Sequence, residues 1–202
     1  MLRKSLRSAF VAVTLLTLFG PAVKAGPFED GIAAYKARQF GIAVELWRPI
    51  AEAGDFVAQY YMGFVYGQGQ GVEQDVVKSV RWYEMAGKQG YTPALHHLGL
   101  IFATGEGVEE NDTVAVRWFR MAAELGHASS QLSMGVHFDN GEGVPENKVE
   151  AYAWVTISAT QGHLQAERLK LFMESDLPPQ TLEQGLELAR KYWDLYVAPF
   201  QN

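Results

Sequence analysis

The sequence predicts an all-α fold, a right-handed α/α solenoid of stacked helix pairs closed by a C-terminal capping helix. Three observations predict it. Trp82, Trp118 and Trp154 recur every 36 residues, and Gly54, Gly90, Gly126 and Gly162 keep the same spacing. Within each period, apolar residues fall at i, i+4, i+7 and i+8, the stripe of a buried helix face: Ala58, Met62, Val65 and Tyr66, then Ala94, Leu98, Ile101 and Phe102. Each period also carries its own start and stop signals, with Asp75, Asn111 or Asn147 opening a second helix and Gly90, Gly126 or Gly162 closing it. A fixed period of this length, kept without insertion or deletion, is the signature of a one-dimensional array.

The elements follow in order. Residues 1–25 place Arg3, Lys4 and Arg7 before the apolar run Ala9–Phe19 and end in Val23-Lys24-Ala25, the order of a secretory signal peptide cut near Ala25. The run is shorter than the roughly 20 apolar residues a spanning helix needs. An uncleaved anchor is the alternative; a cleaved chain has no stable membrane anchor and is expected in the periplasm or secreted. Residues 26–54 form a degenerate N-terminal helix pair, Phe28–Gln39 and Phe40–Ala53, with only Gln39-Phe40-Gly41 between its helices. Residues 55–90, 91–126 and 127–162 are three full repeats. Trp118 has a repeat on either side and is expected in the core. Residues 163–202 hold a last first-helix from Ala166 to about Glu174, an interruption at Leu177-Pro178-Pro179, and an amphipathic cap over 179–196 with Leu182, Leu186, Ala189 and Trp193 on one face.

Charge and composition narrow the function classes. Of 17 basic residues, four lie in 1–25, so the remainder carries 13 basic against 23 acidic residues, about −10. That sign repels phosphate backbones and anionic lipid heads, which argues against nucleic acid and membrane surfaces as partners. The sequence has no cysteine, hence no disulfide framework and no thiol nucleophile.

The residues that could carry chemistry have structural explanations. Gly67-Gln68-Gly69-Gln70-Gly71 looks like a phosphate cradle, but no strand precedes it and no Lys-Ser/Thr follows, and its glycines recur in register as turn residues. His127 and His163 each follow a helix-ending glycine, which suits a helix boundary. His96 and His97 align with Tyr60 and Tyr61 and with Leu132 and Ser133. No spacing of His, Asp and Glu forms a metal-ligand set. Glu106, Glu109, Glu110 and Asp112 share a polar loop, not the apolar site a general acid needs, and Ser129, Ser130, Ser133 and Ser158 lie in no nucleophile elbow. No catalytic residue, metal site or cofactor is assigned.

The pattern Ala-X3-[Leu/Met]-Gly in the first helix, Gly-X-Gly-Val between helices and Trp-[Tyr/Phe]-X-X-Ala in the second resembles Sel1-like repeats, relatives of tetratricopeptide repeats. The third copy departs slightly, with Ser130 opening its first helix and Val155 and Ser158 in its second. The resemblance implies a non-enzymatic module that binds another protein or peptide through a concave face lined by first helices. Tyr60, Tyr61 and Phe64, then His96, His97 and Leu100, then Leu132 are the partner-binding candidates, although Phe64, Leu100 and Val136 would repeat equally well if they packed between repeats. A cysteine-rich branch of such proteins is linked to β-lactams, and this chain has none of its cysteines. A cell-wall- or β-lactam-directed enzyme and a structural envelope scaffold are the alternatives, with oligomeric state open.

Overall fold

The computed structural model describes residues 26–201, so the expected signal peptide lies outside the described residues. Among them the chain is all-helical. The N-terminal pair is α1 (Pro27–Lys36) and α2 (Phe40–Glu52). The three repeats are α3 (Phe56–Gln68) with α4 (Val76–Gly87), α5 (Thr92–Thr104) with α6 (Asp112–Glu124), and α7 (Ala128–Asn140) with α8 (Lys148–Thr160). α9 (Leu164–Asp176), α10 (Pro179–Tyr196) and a short 3-10 turn, Ala198–Phe200, follow. Each helix packs on its predecessor from α1 to α9, which makes the solenoid.

Six of the ten described α-helices start on a side-chain cap, while α1, α2, α5 and α10 start without one. Asp55, Asp75, Asn111 and Asn147 each accept a hydrogen bond from a backbone N–H in the first turn of α3, α4, α6 and α8. His127 and His163 do the same for α7 and α9 through their side chains. First helices of the full repeats end on Gly69, Gly105 and Gly141, at φ of 65°, 65° and 73°, a left-handed conformation without penalty for glycine. The N-terminal pair lacks such a glycine. α1 therefore stops at Lys36, short of the expected Gln39, and Arg38 adopts φ 61° while Gln39 N–H reaches Ala34 O at 2.9 Å.

Packing within a pair rests on a notch. A Cβ added to Gly63, Gly99 or Gly135 would lie 2.7, 2.4 or 2.5 Å from Tyr83, Phe119 or Val155, so each second helix drops a bulky side chain into a gap opposite a first-helix glycine. Gly31 takes the Trp47 indole in the same way in the N-terminal pair. Packing between pairs uses a second glycine. Gly71, Gly107 and Gly143 press onto Phe40, Val76 and Asp112, at the N-termini of the preceding second helices.

This geometry corrects the expectation for the periodic tryptophans. Trp118 is half-buried and packs sideways on the Tyr83, Ala86, Ala94 and Leu98 cluster; the residue inserted into the core is its neighbour Phe119, at 1% exposure. One residue along a helix is a rotation of about 100°, enough to exchange the two. Trp82 is likewise half-buried. Trp154 alone of the three is fully buried, at 1% exposure, because α10 lies over it: the Tyr192 and Tyr196 rings sit 4.5 and 5.6 Å from the Trp154 ring. α10 packs along α8 instead of pairing with α9. Its buried stripe runs through Gly185 and Ala189 with Leu182, Tyr192, Trp193 and Tyr196 beside it, and Leu186, expected on that face, stands at its rim beside Ile157, 38% exposed.

Phe119→Ala should therefore lose about 3–5 kcal/mol and Trp118→Ala clearly less. Urea unfolding of both variants checks the order, and the reverse order would place the wrong residue in the core.

Candidate interaction groove on the first-helix face

The candidate residues divide among three places. Tyr61 belongs to the N-terminal core, where its ring lies 4.7 Å from Trp47 and 5.7 Å from Phe28. Leu132 packs against the C-terminal core. Tyr60, Phe64, His97 and Leu100 come together between α3 and α5, and His96 turns toward the next repeat.

Phe64, His97 and Leu100 line one cavity of about 320 Å³, whose floor is Tyr83 and Ser79 of α4 and whose rim includes Glu106. The helices position these groups through the period. Ser79 Oγ–H donates to Gly63 O at 2.7 Å and locks α4 against α3. Phe64 and Leu100, one period apart, then face the same gap from its two sides. Leu100 is 39% exposed, an apolar side chain left in water at the cavity edge.

Aromatic rings extend the lining. The Tyr60 hydroxyl and His97 Nε2 share a hydrogen bond at 3.1 Å, Tyr83 stacks on His97 at 5.2 Å with 8° between planes, and Tyr91 meets Tyr60 edge-on at 5.4 Å. Burial raises the Tyr83 and Tyr60 pKa values and lowers that of His97, so near neutral pH this lining carries hydroxyls and a neutral imidazole. Sequence reasoning did not single out Tyr83 or Tyr91. Their only signal is position, one residue past the periodic tryptophan and one past a turn glycine.

His96 heads a second cluster. Its Nδ1 lies 3.0 Å from Ser130 Oγ, and His127 Nδ1 lies 2.9 Å from the same oxygen while accepting the Ser130 N–H at 3.3 Å. Burial, reinforced by the neighbouring histidines, pushes His96 down to about 3 and His127 down to about 4. Geometry agrees, because a protonated His127 Nδ1 could no longer accept the N–H that starts α7. Among the described residues no group of three His, Asp or Glu side chains could hold a metal ion.

Both imidazoles remain neutral in the fold at pH values where an unfolded histidine, with a pKa near 6.5, takes up a proton. Their contribution is thus complete above about pH 7 and is lost as the pH falls from about 6.5 toward the folded-state values, by up to about 1.4 kcal/mol per pH unit per group. Melting temperature should drop between pH 7 and 4.5, and His96→Gln should flatten that drop; identical pH profiles would contradict the assignment.

Comparisons with known proteins agree with this architecture. The family model described as Sel1 repeat matches residues 57–91, 92–127 and 128–163. A solved Sel1 repeat protein from Oxalobacter formigenes is 29% identical, with a TM-score of 0.69, over 83% of this chain and 69% of that one. A protective antigen present in uropathogenic Escherichia coli strains, displaying an SLR fold, is 24% identical with a TM-score of 0.52 over 86% of this chain. The match spans 46% of the antigen's own length. No curated protein matches the chain.

Proposed function

This chain belongs to the Sel1 repeat family, whose fold generally serves protein–protein interaction, and from that premise we propose that it is a periplasmic or secreted adaptor that captures a segment of a partner protein. The observation that carries this reading is the cavity between α3 and α5, with Phe64, Tyr83 and His97 around it and Leu100 exposed at its edge. A volume of about 320 Å³ accommodates one or two large apolar side chains. Rigid aromatics give such a pocket large contact area at low entropic cost, the usual make-up of an anchor site.

Charge supplies the second half of the specificity. Residues 26–202 carry about −10, and Glu106 stands at the rim. The favoured segment is therefore an apolar anchor flanked by Lys or Arg, steered by the acidic surface and sensitive to salt. The apolar leader-like residues 1–25 support an envelope or secreted setting in which such a partner would be met.

A photo-crosslinker at position 100 of the full chain, expressed in its own envelope, should trap a discrete partner. Leu100→Asp at the same exposed site should leave the melting temperature within about 1 °C and reduce capture at a second reporter position at least tenfold. Equal capture by both chains would remove the cavity from the function.

A further inference from the structure

The periodicity makes surfaces of successive second helices directly comparable, and one of them is covered while its equivalent is not. On α8 the covering element is α10. Tyr192 and Tyr196 lie on Trp154, the Tyr192 hydroxyl donates to Glu150 Oε2 at 2.8 Å, and Leu186, Ala189 and Trp193 enclose a space against Ile157. Glu150, Trp154 and Ile157 are thus three α8 residues in this contact, next to Tyr152 under Gly185. Subtracting one period gives Val114, Trp118 and Met121 on α6. Those residues, with Arg117, line an open, largely apolar cavity of about 230 Å³. Met121 is 46% exposed there.

The two faces are also continuous. α10 and the 3-10 turn after it end against the turn that follows α6, where a Cβ on Gly126 would stand 3.1 Å from Tyr196 O and 3.3 Å from the Phe200 ring. A helix laid on α6 would extend the layer that α10 begins.

We propose that the outer face of α6 around Trp118 is a second docking site, taking an acidic amphipathic helix of a partner protein in the way that α8 takes α10. Its chemistry follows from what differs between the two registers. Val114 replaces Glu150, so no acceptor awaits a tyrosine hydroxyl, and the ring placed there must be phenylalanine or an aliphatic equivalent. Arg117 replaces Ala153, and exposed Arg81 occupies the same register on α4. Two cations on a chain of net negative charge select acidic side chains beside the apolar stripe. Small residues on the docking helix, as Gly185 and Ala189 provide in α10, let the backbones approach. The site lies on second helices and shares no residue with the cavity at Leu100, so the two functions stand or fall separately.

The test uses α10 itself, redesigned for the α6 register. A fluorescein-labelled peptide of residues 179–201 carrying Tyr192→Phe, Arg190→Glu and Lys191→Glu is titrated with the full chain and followed by anisotropy. Saturable binding is expected, weakened at least tenfold by Met121→Glu and by Arg117→Glu, and unchanged by Leu100→Asp. Both weakening substitutions are at exposed positions, and unchanged melting curves establish that the chains are folded. A peptide with the original Arg190 and Lys191 should bind at least threefold more weakly. Absence of binding would overturn the proposal. So would binding indifferent to Met121→Glu, which would mean that the peptide only displaces α10 from α8.

Discussion

No helix pair in this chain can cover its own apolar surface, and the solution adopted at every pair is a glycine facing a bulky side chain. Gly63, Gly99 and Gly135 admit Tyr83, Phe119 and Val155 so closely that even a methyl group would collide. A second glycine, at Gly71, Gly107 and Gly143, brings each connecting loop onto the preceding second helix. The spacing between helices is thereby fixed where glycine backbone meets a neighbouring side chain or helix start, and stability becomes a sum over neighbours. Buried amides reinforce two of the boundaries: Gln59 Nε2 donates to Ala51 O at 3.1 Å, and Gln131 Nε2 to Ala123 O at 3.1 Å. In the middle repeat Leu95 stands at that position and fills it with carbon instead.

A frame held this way leaves the remaining positions free to diverge. Tyr60, His96 and Leu132 share one register yet face a hydrogen-bonded ring cluster, a serine–histidine cluster and the C-terminal core. The first-helix face therefore presents different chemistry at each step along a constant scaffold. On the second-helix face the opposite holds: the tryptophan is constant, and what changes is whether another helix covers it. α8 shows the covered case, with every residue from Ala151 to Ser158 buried, while α4 and α6 keep one wet face.

Much of this was legible in the sequence because it is local or periodic. The helix pairs, the Asp and Asn caps, the histidine boundaries and the terminal helix over 179–196 all follow from residue type and spacing. What escaped is set by contacts between periods. A repeat says which residues are equivalent but not which are covered, so Trp118 and Trp154 look alike until α10, some forty residues downstream, is seen to lie on only one of them. For the same reason the sequence does not show that Leu186 stands only at the rim of the α8–α10 contact, beside Ile157, while Gly185 sits directly against Tyr152. Tyr60 and His97 are separated by 37 residues, one more than the period, so alignment by register assigns them to different columns while packing joins them. Tyr61 lies in a candidate column yet is drawn into the N-terminal core by Trp47, a residue of the degenerate pair without a tryptophan of the same register.

The central claim is that stability is carried between neighbouring helices and not within any one repeat. Native-state hydrogen exchange on the full chain, read helix by helix by mass spectrometry, tests it most directly. Protection should be greatest in α8, which packs on α7, α9 and α10, intermediate in α5 and α6, and least in α1 and α9, each with a single main packing neighbour among the described helices. Equal protection from α1 to α9, or slower exchange in α1 than in α8, would contradict it.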